Sequence, residues 1–140
     1  QNISFFKSQK WPLRTWSTLN FFDKKMIMIK RECDNIKEFV NYTDDAFIYM
    51  IADKYFYSKQ YLYWIKDKRY FEVLLKHYDI NIQTMIKDKL SDGSLIVFVE
   101  SKDLFKLKKN YDFKDYRFIE APYSLNNKKK GILMPKFCLN

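Results

Sequence analysis

The run Leu95-Ile96-Val97-Phe98-Val99 constrains the fold more than any other stretch of the chain. Five apolar residues, three of them β-branched, lie between the turn formers Ser91-Asp92-Gly93 and the polar Glu100-Ser101-Lys102. Such side chains suit a pleated, packed surface, so the run reads as a strand. Met26-Ile27-Met28-Ile29, bounded by lysines, reads as a buried strand, with further short strands at Phe39 to Tyr42 and Arg117 to Ile119. Residues 1–25 read as irregular, punctuated by Pro12. Thr43-Asp44-Asp45 reads as a helix start. Thr43 brings a capping oxygen, and the aspartates favour the positive end of the helix dipole. Apolar residues recur at three- and four-residue steps from Tyr61 to Tyr78, which predicts an amphipathic helix within 57–78. Ile80 to Leu90 predicts another, and Asp103 to Asn110 a short basic one. Asn126 to Lys130 reads as a cationic loop before an apolar tail.

The whole is expected to be α+β, a small mixed domain with a short β-sheet and helices. At 140 residues the length suits one core, and 47% apolar residues exclude a chain disordered throughout. Two glycines exclude collagen-like material and a Gly-rich phosphate loop. No 18-residue apolar run without charges occurs, so no membrane-spanning helix is expected. The first residues lack the apolar core and cleavage site of a signal peptide. Two cysteines are too few for a disulfide scaffold or a four-ligand zinc site. Cys33 is expected as a buried small hydrophobe and Cys138 as a terminal thiol. His77 is the one histidine, inside an expected helix, and no Ser or Cys motif points to it. Neither metal nor cofactor is expected. Phe, Tyr, Ile, Asn and Lys abound while Gly, Ala, Pro and Arg are scarce, the mark of an A+T-rich genome. The net charge of +9 draws polyanions, with nucleic acid the default partner.

Pro12-Leu13-Arg14-Thr15-Trp16-Ser17 resembles the signature of the universal small-subunit ribosomal protein family number nineteen, of bacterial and organellar type. Two further blocks follow in family order: Asn35-Ile36-Lys37-Glu38-Phe39-Val40, and Thr43-Asp44-Asp45 leading to Ile51-Ala52-Asp53. The family's turn glycine is Ile36 here, and its basic pair after Trp-Ser is Thr18-Leu19. The resemblance covers residues 10–54. It implies a ribosomal-protein-like core at 1–59, with 60–140 a lineage-specific α/β extension packed on it. It also implies a non-enzymatic, structural protein of a mitochondrial small ribosomal subunit, bound in its head to ribosomal RNA and neighbouring small-subunit proteins. A matrix location, no membrane partner and no stand-alone homo-oligomer go with that reading.

The candidate RNA-binding residues are Lys10, Arg14, Thr15, Trp16, Ser17, Lys37, Lys128, Lys129 and Lys130. Arg14 offers a planar fork to a phosphate, Trp16 a flat face for a base or a core side chain, and the lysines counterion release. An alternative is a magnesium-dependent nuclease. In it Asp92, Glu100 and Lys102, spaced around an apolar strand, would hold the metal and position a water. A third reading is an accessory subunit of another organellar complex.

Overall fold

The structure, a computed structural model, describes residues 13–43, 45–56, 82–122 and 129–138. In chain order the elements are α1 (Leu13–Glu32), β1 (Glu38–Tyr42), α2 (Ala46–Ala52), α3 (Ile82–Asp92), β2 (Leu95–Glu100), a 3-10 turn (Ser101–Asp103), α4 (Leu104–Asn110), β3 (Tyr116–Glu120) and β4 (Lys130–Pro135). The expected helix within 57–78 lies outside the described residues, as do residues 1–12.

The strands form one mixed sheet in the order β1-β2-β4-β3. β1 and β2 are parallel, with Glu38 opposite Leu95 and Tyr42 opposite Val99. β2 is antiparallel to β4, and β4 to β3. Every residue of β2 is buried, because helices cover both faces of the sheet. Ile96 and Phe98 point into one apolar layer with Phe22, Met26 and Ile29 of α1 and Ile48 and Ala52 of α2. Leu95, Val97 and Val99 point into the other, with Ile86 and Leu90 of α3 and Leu107 of α4. The α+β expectation holds. A strand from within 1–59 and three from within 60–140 share this sheet.

Two expectations for the N-terminal part are corrected. Residues 13–25 are helical rather than irregular, and Met26 to Ile29 belong to α1 rather than to a strand. Leu19, Phe22, Met26, Ile29 and Cys33 are buried at three- and four-residue intervals, while Ile27 is 43% exposed. The four-residue apolar run is therefore part of a helical stripe that begins well before it, and so short a run does not reveal its own period. Lys30 and Arg31 in the last turn complement the helix dipole.

The expected strand at Leu95 to Val99 and the helix ending at Ser91-Asp92-Gly93 are both present. Gly93 stops α3 with φ +70°, the left-handed conformation that glycine adopts without a Cβ penalty. Its N–H donates to Leu90 O and that of Ser94 to Lys89 O, which satisfies the last carbonyls of the helix. Gly131 answers a different need. The Ile119 carbonyl and the Phe118 ring occupy the space where a Cβ would sit.

Phe98 lies at the centre of the first layer, edge-on to Phe22 at 5.6 Å and to Phe39 at 5.9 Å. Phe98→Ala is expected to cost about 3–5 kcal/mol, read as a lower urea midpoint at unchanged slope. In the second layer the Tyr116 hydroxyl donates to Leu95 O at 2.7 Å. Burial pushes that hydroxyl well above the ordinary phenol range. The neutral phenol is thus the folded form, and its contribution is complete below the unfolded pKa of about 10 and is lost as pH rises beyond it. Urea melts taken upward from about pH 8 should be level until about pH 10 and then fall, with a shallower fall in Tyr116→Phe.

Candidate functional site at the carboxyl ends of the parallel strands

The two parallel strands end side by side, and the chain leaves them in opposite directions. After β1 it enters α2, which packs with α1 on the first layer. After β2 it passes through the 3-10 turn into α4, which packs on the second. Adjacent parallel strands whose outgoing connections part to opposite faces leave a crevice between them, the usual ligand position in open α/β sheets.

Side chains on this edge are polar although the layers beneath are apolar. Thr43, 1% exposed, donates from Oγ1 to Asn41 Oδ1 at 2.6 Å and accepts from the Asp45 N–H at 3.1 Å. Asn41 Nδ2 donates to Asp45 O at 3.1 Å, which closes the loop on itself. Asp45 caps α2 by accepting the Phe47 N–H at 2.9 Å through Oδ1, and its Oδ2 lies 3.5 Å from Lys130 Nζ. The cap expected at Thr43 therefore falls on Asp45, with Thr43 holding the capping loop. From the β2 side comes Glu100, 1% exposed, directly opposite Lys130 in the sheet register. Lys102 Nζ stands 3.8 Å from its Oε1. Ser101 Oγ donates to Glu120 Oε2 at 2.6 Å, and its N–H to Lys129 O, which binds the turn to β3 and β4.

A buried carboxylate is costly unless cations and donors surround it. Glu100 has Lys102 beside it, its Nζ 3.8 Å from Oε1, and Lys130 across from it in the sheet register. Two carboxylate–cation pairs, Glu100 with Lys102 and Asp45 with Lys130, thus stand at the carboxyl ends of β1 and β2.

Among the described residues, Lys37 and the Lys129–Lys130 pair, expected to bind RNA, stand at opposite ends of the sheet. Lys10 and Lys128 lie outside the described residues. Arg14, Thr15 and Trp16 fall in the first turn of α1, and Ser17, half-buried, follows them. Lys37 is exposed at the amino end of β1, whereas Lys129, exposed, and Lys130, half-buried and paired with Asp45, stand at the opposite end of the sheet. The first turn of α1 is about 24 Å along the helix axis from its last.

The nuclease arrangement also fails geometrically. Asp92 ends α3 at the amino end of β2, while Glu100 closes its carboxyl end. Five residue steps of about 3.3 Å separate Leu95 from Glu100, so Asp92 and Glu100 cannot share an ion. Among the described residues no group of three or more His, Cys, Asp or Glu could hold a metal. No helix of the described residues is long and apolar enough to cross a membrane.

A concavity of about 720 Å³ opens between the end of α3 and the α4–β3 connection. Lys87, Lys108, Lys109 and Lys114 line it together with Asp112 and Asp115.

In the sequence Thr43 and Asp45 read only as a helix start, and Glu100 only as a metal ligand. The available signal was that each follows an apolar strand, but their adjacency depends on the parallel pairing of β1 with β2. Asp45→Ala is expected to cost about 1–2 kcal/mol through loss of the cap. Asp45→Asn keeps a capping oxygen and should cost clearly less; urea melts of the two variants measure the difference. The chain matches no protein-family model, no curated protein and no solved structure.

Proposed function

We propose that this chain is a ligand-binding domain that takes a small, amine-bearing molecule in the crevice where β1 and β2 end. The observation that carries the reading is Glu100, a carboxylate buried at the point where the outgoing connections part. A few convergent polar groups at such a crevice are the ordinary composition of a small-molecule site. Glu100 receives the ligand ammonium, and Lys102 swings outward to water as it does so. The Asn41–Thr43–Asp45 hydrogen bonds hold the other wall in place before the ligand arrives, which lowers the entropic cost of binding. Lys130, already paired with Asp45, offers positive charge to an anionic end of the same molecule. The role is recognition, not bond chemistry.

A panel of primary amines and amino acids, scanned by thermal shift and then by calorimetry, tests this. At least one member should bind, and Glu100→Gln should weaken it tenfold or more, equivalent to about 1.4 kcal/mol. Equal binding by Glu100→Gln, with its urea midpoint unchanged, refutes the assignment.

A second reading, structural binding of ribosomal RNA in a mitochondrial small subunit, rests on the resemblance at residues 10–54 and the net charge of +9. The lysine-lined concavity beside α4 supports it. It calls for cofractionation with the small subunit through a high-salt gradient. It also calls for RNA affinity that falls steeply with salt, the slope dropping by about one for each lysine removed from the concavity.

A further inference from the structure

Cys33 and Cys138 are joined in a disulfide, not separate as a buried hydrophobe and a terminal thiol. Their Cα atoms stand 5.7 Å apart across 105 residues of sequence, and the residues are 5% and 2% exposed. Cys33 follows the last turn of α1, its N–H still bonded to Ile29 O. Cys138 lies in the turn after β4, where independent contacts hold the same few residues. Arg117 Nη2 donates to Cys138 O at 3.3 Å, and the Lys136 N–H to Asp115 O at 2.8 Å. The Phe137 ring lies against Gly93. The partners are thus set face to face by packing and backbone bonds that do not depend on the sulfurs.

We infer that the protein matures in an oxidising compartment, and that Cys33–Cys138 is a permanent clasp rather than a switch. Cytosol and mitochondrial matrix keep thiols reduced, whereas secretory and extracellular spaces and the bacterial periplasm allow disulfides to form and persist. In closing the bond, the two thiols give up two protons and two electrons. A protein disulfide oxidant accepts them by exchange through a mixed disulfide and leaves as a dithiol. Once formed, the bond is shielded, since an attacking thiolate must reach a sulfur and both cysteines are buried. β4 runs antiparallel to β2, so the clasp sits at the amino end of β2, away from the crevice where Glu100 lies. It ties α1 to the far end of the sheet without touching the ligand site. A reducing matrix leaves the pair as thiols, so the clasp also separates the two readings of function.

The test uses the full chain taken from its own cells, with free thiols alkylated in denaturant before any reduction. Neither cysteine should take up the alkylating reagent, and the intact mass should be about 2 Da below that of the dithiol. Reduction, or the Cys33→Ala/Cys138→Ala variant, should lower the thermal midpoint by about 10 °C. Should the double variant fail to fold, alkylation of the unaltered chain still decides the matter. Labelling of both cysteines in the freshly denatured, unreduced protein overturns the inference. So does a crosslink that appears only after oxidation in the test tube.

Discussion

Burial of β2 on both faces is the constraint from which the rest of the architecture follows. A strand with six buried residues needs a layer of apolar side chains above and below it, and a hydrogen-bonded neighbour on each side. α1 and α2 supply one layer, α3 and α4 the other, while β1 and β4 supply the neighbours. The Gly93 cap and the Gly131 contact are local conditions of the same arrangement. One delivers the chain from α3 into β2, and the other lets the β3–β4 hairpin close beside it.

The same constraint creates the crevice. A central strand covered on both faces must send its successors to whichever face still needs cover, and here the successors of β1 and β2 take opposite ones. Apolar packing stops where they part, and polar side chains occupy the edge. Glu100 belongs to a strand made almost wholly for packing, yet its carboxylate lies where the packing ends. The charge of the whole molecule is strongly positive, but the local chemistry is mixed, with two carboxylates against two lysines. Net charge is a guide to long-range attraction, and this edge shows why it says little about a particular site.

Legibility in the sequence followed the range of the interactions. β2, the end of α3 at Gly93 and the short basic α4 could be read because each is set by a local pattern: an apolar run, a glycine after a periodic segment, lysines in a last turn. α1 was missed because Met26 to Ile29 is as apolar as a strand, and only its continuation back to Leu19 reveals the helical period. The cysteine pair was missed for a different reason. No local feature of Cys33 or Cys138 announces a partner 105 residues away. Glu100 and Asp45 likewise come to the same end of the sheet only because β1 and β2 lie side by side, and one isolated sequence contains no direct record of that pairing.

The position of β1 at the outside of the sheet has a dynamic meaning. Among the described residues it pairs with β2 alone, whereas β2 and β4 are held on two sides. Its partner residues are far away in the chain, with Glu38 opposite Leu95, so closing a long loop weighs on this pairing. Peeling of β1 from the edge of the sheet carries away Thr43 and Asp45, one whole wall of the crevice. A molecule that bridges the ends of β1 and β2 acts as a rivet, and slows amide exchange along a strand it barely touches.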